Sequence, residues 1–310
     1  MKKIIHLVKQ HIQQDFKPLY YGAIFILLAV SITVNYTLNL ENGIIDQHTG
    51  KWIRVFYYYL LYAFGYYATC LAVSAFHNNH AFWKSKTFWI LSTFGLTILS
   101  ADRGFPYLHK LAMLFNQPYE AYSWLFRTLN HATGFIIIFL SLWLFYRWVD
   151  KEKSGFYGLT KPGNIKPYVY LLLIVAPAIL IAALHTSFIN YYPVYKSTHV
   201  AGLWGWPGYM PALIFELLYG LDFLNVELLF RGFFVIGLAQ VLGKDAIMPM
   251  VTIYCYLHFG KPIGETISSI AGGYILGAIA LYTRSVWGGV FIHVGVAWLM
   301  ELSAWLVKQL

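Results

Sequence analysis

Charge is what this sequence lacks most. Asp, Glu, Lys and Arg make up 11% of its 310 residues, against about 25% in an ordinary soluble domain. Apolar residues make up 59%, and mean hydropathy is +0.57. One buried core cannot absorb that surplus, so a water-soluble globular fold is excluded. Cysteine is nearly absent too. Cys70 and Cys255 lie far apart in apolar runs without metal-ligand spacing. That excludes a disulfide scaffold and a cysteine-built metal centre, and leaves two buried, inert thiols. Internal repeats, low-complexity tracts and an H-E-x-x-H motif are also missing. The first apolar run, from Tyr20 onward, is longer than a signal-peptide core and has no small-residue cleavage site. It reads as a span rather than a removable leader.

What is present is a series of apolar runs, most of them roughly 18–22 residues long, the length that crosses ~30 Å of hydrocarbon. They fall at about 20–40, 55–76, 87–101, 129–147, 168–189, 210–241, 246–259, 266–283 and 286–307. The expected fold class is all-α: a polytopic transmembrane helical bundle of roughly eight or nine spans. A charged connection at 148–167, with Gly155, Gly158, Pro162 and Gly163, separates an N-terminal membrane region (1–150, about four spans) from a second membrane core (168–310). The stretch 102–127 is too polar to span and reads as an interfacial helix. Residues 2–17 are amphipathic and read as lying on the inner membrane surface.

Aromatic residues make up 19%, which suits the two interfacial belts of a membrane protein. The net charge is +9, gathered at "MKKIIHLVKQHIQQDFK", "HNNHAFWKSK" and "RWVDKEKSGFYGLTKPGNIK". Each cluster flanks a span, as the positive-inside rule requires. The expected partner of these charges is the lipid bilayer, not nucleic acid. The expected location is the bacterial cytoplasmic membrane with the N-terminus inside.

The second half carries polar residues at membrane depth: His185, Glu216, Asp222, Glu227, Arg231, His258, Glu265 and His293. Such charges cost several kcal/mol unless paired or wetted. Glu227 and Arg231 are four apart on one helix face, so a structural pair is expected. Glu216 shares a face with Glu227, and Asp222 lies one turn before Val226. Three acids and one Arg exceed what a packing pin requires, so this helix is expected to line a watered cavity. His258 ends an apolar run that Gly260 and Pro262 break. His293 sits mid-span between Gly289 and Gly295.

Taken singly, either histidine reads first as a hydrogen-bonded core residue. Taken in order, a carboxylate and a histidine can position a water as general base, and a second histidine can stabilise an oxyanion. Those are the parts of an acyl-bond hydrolase that uses no Ser or Cys nucleophile. Two other readings stay open. Intramembrane acids and histidines also mark proton-coupled transport, though no inverted repeat is visible. Glu227, His258 and His293 are also a conceivable zinc set; otherwise no cofactor is expected.

The motifs "VELLFRG" (226–232), "YCYLH" (254–258) and "HVGVA" (293–297), with "HFGKP" and "GGYILG" beside them, resemble those of the CPBP family, the CAAX-protease and bacteriocin-processing intramembrane endopeptidases. The family pattern is E-E-x-x-x-R, F-x-x-x-H and H-x-x-x-N on successive helices. The resemblance covers about 210–305. It implies peptide-bond hydrolysis of membrane-anchored or hydrophobic peptides by an activated water. It assigns Glu227 to the second Glu, paired with Arg231, His258 to the activating His and His293 to the oxyanion His. Tyr254 stands for the Phe, Val226 for the first Glu and Ala297 for the Asn. Valine takes no proton and alanine donates no hydrogen bond. Asp222, Glu227 or Glu265 is then expected to supply the base. The alternative is a catalytically lapsed scaffold or peptide-binding relative.

Overall fold

The computed structural model describes residues 2–114, 118–150, 155–195 and 199–309. Among them every longer element is a helix and there is no strand. We label the longer helices α1 (Lys2–Asp15), α2 (Pro18–Leu38), α3 (Ile53–His77), α4 (Lys86–Gly104), α5 (Tyr119–Trp148), α6 (Lys166–Ala182), α7 (Met210–Glu227), α8 (Ile247–Tyr256), α9 (Ile263–Thr283) and α10 (Trp287–Gln309).

The chain is a multi-pass membrane protein. Among the described residues, six helical stretches are long and apolar enough to cross a bilayer, while α6 is apolar but shorter. α2 shows how the sequence makes one. Pro18 opens it, where its missing N–H is no loss, and Asn39 closes it in the left-handed conformation at φ 50°. Tyr20, Ile24, Leu28, Ile32 and Asn35 recur at helical spacing and are buried. Leu19, Phe25 and Ile26 point outward, 63–75% exposed, which is tolerable against lipid and not against water.

The stretch Met210–Tyr256 is 72% buried across its apolar window, against 17% for α2, so it is the centre of the bundle. It is too long for one crossing. α7 runs into a fully buried π-helical segment, Leu228–Gly237; the chain turns at Gly243, and α8 packs back against that segment. α9 and α10 complete the core, with α10 against α6 and α7.

The polar stretch expected to be interfacial, 102–127, is divided. Its start belongs to α4, Tyr107–Met113 is a short helix, and from Tyr119 it is the first half of the continuous helix α5. The polar groups of α5 are admitted because α7 and its approach supply partners. Trp124 Nε1 donates to the Pro211 carbonyl at 3.1 Å and Arg127 to that of Val194 at 3.3 Å. In the connection after α5, Tyr157 is fully buried, packs edge-on to Phe233 and donates to Asp150.

Candidate functional site

The end of α7, the break after α8, and the middle of α10 meet around Tyr254. Glu227, the last residue of α7, has no exposed surface. Its Oε1 lies 3.0 Å from Arg231 Nη1 and accepts from His293 Nδ1 at 3.0 Å. Arg231 lies inside the π-helical segment, 4.1 Å over the Tyr254 ring. None of its nitrogens makes an aligned hydrogen bond. The distances nevertheless put two unlike charges in contact, so the attraction is Coulombic and cation–π rather than a forked hydrogen bond.

His293 uses both ring nitrogens. Nδ1 faces the Glu227 carboxylate and Nε2 lies 3.2 Å from the Tyr254 hydroxyl. A carboxylate accepts, so in a neutral ring Nδ1 carries the hydrogen and Nε2 accepts from Tyr254. Among the described residues, the ligand atoms of Glu227, His258 and His293 do not gather into one close cluster.

His258 follows the end of α8, where Pro262 prevents the helix from continuing. The carbonyls released there are taken up by neighbours. Thr266 Oγ1 donates to the His258 carbonyl, Asn35 to that of Phe259 and Tyr36 to that of Lys261. This is how non-helical backbone survives at such depth. His258 Nδ1 is 2.7 Å from the Tyr254 carbonyl. A carbonyl only accepts, so Nδ1 is the protonated nitrogen and Nε2 keeps its lone pair. That lone pair is 3.9 Å from Glu265 Oε1. The gap is too long for a direct hydrogen bond and of a size that one water can bridge. Glu265 is itself fixed by Lys261 Nζ at 2.6 Å and by the Tyr192 hydroxyl at 2.7 Å.

The other candidates have different partners. Asp222 accepts from His131 Nδ1 on α5 at 2.9 Å and from Asn225 at 3.4 Å, and bonds to neither His258 nor His293. Glu216 faces Glu301, which accepts from the backbone N–H groups of Val194 and Tyr195. His185 caps the short helix Thr186–Tyr191 at the exposed surface. Val226 packs among apolar neighbours of the main core, and Ala297 is buried with Phe215, Tyr219 and Phe223.

Tyr254, Lys261 and Tyr192 were missed by sequence reasoning. For Tyr254 a signal existed: a hydroxyl-bearing residue four positions before His258, on the same helix face. For Tyr192 there was none.

Gly289 sets the spacing between α10 and α7. A methyl group there would overlap Glu227 Oε2, an oxygen with no hydrogen-bond partner. Gly289→Ala is therefore expected to displace the Glu227 carboxylate, at a cost of about 1–3 kcal/mol for overpacking. Thermal melting of the purified variant in detergent checks this; an unchanged midpoint means that α10 yields freely.

Residues 221–299 match the family model described as Type II CAAX prenyl endopeptidase Rce1-like. No curated protein and no solved structure gives a match.

Proposed function

We propose that this chain, whose residues 221–299 match the Type II CAAX prenyl endopeptidase Rce1-like family model, is a divergent CPBP-family intramembrane endopeptidase hydrolysing membrane-anchored or hydrophobic peptides. The observation that carries this is His258. Its Nδ1 is pinned to a carbonyl, and its Nε2 lone pair faces the Glu265 carboxylate across 3.9 Å.

A water between these two groups is the nucleophile. His258 Nε2 takes its proton as the oxygen attacks the scissile carbonyl carbon, and returns it to the leaving amine. Glu265 orients the water and balances the imidazolium, in place of the first family Glu that Val226 lacks. The Tyr254 hydroxyl, 3.2 Å from His293 Nε2 in the resting site, leaves that acceptor and turns its single O–H to the developing oxyanion. It supplies the donor that Ala297 lacks. The basic flanks of α1 and of the 148–167 connection orient the N-terminus to the cytoplasmic side of a bacterial membrane.

The apolar packing around Val226 and Ala297 favours a second reading, in which the chain binds a membrane peptide without cleaving it. The two are separated by turnover of a membrane-anchored peptide in proteoliposomes. Glu265→Gln is expected to lower kcat by about 100-fold or more, and Tyr254→Phe by about 100-fold. Full activity in either variant removes that residue from the mechanism. No cleavage by the wild type, with peptide binding retained, supports the second reading.

A further inference from the structure

We propose that Asp15, His77 and Asp245, with His11 beside them, bind a divalent transition-metal ion of the zinc class where α1 meets the end of α3. The site is separate from the Tyr254 cluster and does not depend on the proposed peptidase activity.

One ligand atom from each of Asp15, His77 and Asp245 lies within 4.8 Å of the others. His77 Nδ1 is 2.8 Å from Asp245 Oδ1 and 3.8 Å from Asp15 Oδ1. His11 Nε2, one helical turn before Asp15 on α1, is 3.9 Å from Asp15 Oδ2. The four side chains are between 0% and 7% exposed. The two carboxylates and the His77 imidazole are donors that zinc accepts at about 2.0–2.2 Å, which sets ligand atoms roughly 3.4 Å apart around a tetrahedral ion with one position left over. Small side-chain rotations open the 2.8 Å His77–Asp245 spacing and close the 3.8 Å His77–Asp15 spacing to that value.

His77 Nδ1 and Asp245 Oδ1 hydrogen-bond each other at 2.8 Å, a contact that a metal ion between them would replace, and outer hydrogen bonds hold the second oxygen of each carboxylate. The Tyr21 hydroxyl donates to Asp15 Oδ2 at 2.7 Å, and Asn79 Nδ2 to Asp245 Oδ2 at 2.9 Å. Each bond ties one carboxylate oxygen and leaves Oδ1 toward His77, the outer-shell pattern that orients metal ligands. Asp15 Oδ1, His77 Nε2 and His11 Nε2 are buried yet have no hydrogen-bond partner. A buried carboxylate oxygen without a hydrogen bond is costly. Lys244 Nζ approaches Asp15 Oδ1 at 3.5 Å and also donates to the Gln14 carbonyl. Its side chain is 36% exposed, so it can swing into water and yield its place to a metal ion.

Three segments distant in sequence contribute: the N-terminal helix, the last turn of α3, and the turn that follows the π-helical segment. A metal ion here staples α1 to the bundle, so zinc binding should appear as stability. The experiment uses the full chain, purified in detergent after chelator treatment and titrated with zinc chloride. Bound metal is measured by elemental analysis after dialysis, and melting is recorded in parallel. The expected result is one zinc per chain and a raised melting temperature. Asp245→Asn, which keeps the shape, and His77→Ala should each weaken binding at least about 10-fold and remove the zinc-dependent rise. A triple variant, Glu227→Gln with His258→Ala and His293→Ala, should bind zinc as the wild type does. The proposal is overturned if the wild type retains no zinc, if Asp245→Asn and His77→Ala bind it undiminished, or if only the triple variant loses it.

Discussion

Arg231→Ala is expected to destabilise the protein by about 3–5 kcal/mol, the range for removing one member of a buried ion pair. The Arg231 side chain is 1% exposed and Glu227 has no exposed surface, so water cannot replace the lost guanidinium. What remains is a buried carboxylate that, among the described residues, is hydrogen-bonded by His293 alone. The variant also loses the cation–π contact with Tyr254. The measurement is the melting midpoint and the folded yield in detergent. Glu227→Leu combined with Arg231→Met should recover much of the loss, because apolar residues of similar volume often replace a buried pair without cost. A double variant as unstable as Arg231→Ala would show that the pair's neighbours, and not the stranded charge, set the penalty.

The helical class was legible because it rests on run length, which the bilayer dictates. Span boundaries were less so. The first half of α5, residues 119–127, read as interfacial because the sequence alone cannot display the Pro211 and Val194 carbonyls that its Trp124 and Arg127 bond to. The long run 210–256 contains a π-helical segment, whose wider turn is not encoded in any periodicity a 3.6-residue template detects.

Within the candidate site, the Glu227–Arg231 contact could be read from a spacing of four, since both residues belong to one continuous helical path. Contacts between helices could not. Asp222 and Val226 share a face by spacing, but the partner across the gap is His131, from α5, and no arithmetic within α7 reveals that. The His293–Tyr254 bond depends on how α10 crosses α8. Glu265 lay beyond a proline, where the direction of the chain is lost; the structure brings it to 3.9 Å from His258 because Lys261 and Tyr192 hold it there.

His258→Ala is expected to reduce peptide cleavage by about 100- to 10,000-fold, the usual worth of a positioned general base. The loss should fall on kcat, with KM little changed, since His258 is assigned to the water and not to peptide binding. It should exceed the effect of Glu265→Gln, because glutamine still accepts a hydrogen bond from the water, whereas alanine leaves nothing to take the proton. The test is single-turnover cleavage of a membrane-anchored peptide in proteoliposomes, with melting of the variant measured to establish that it folds. Val226→Glu restores a carboxylate at the position of the first family Glu. If Glu265 has replaced that residue, Val226→Glu should leave wild-type activity intact or raise it, and should rescue Glu265→Gln in part. It should not rescue His258→Ala, which lacks the proton acceptor itself. Undiminished turnover by His258→Ala would remove His258 as the base. If the wild type is inert, and Val226→Glu with Ala297→Asn creates a peptidase that His258→Ala then abolishes, the chain is a lapsed relative whose remaining histidines still hold the geometry of the reaction.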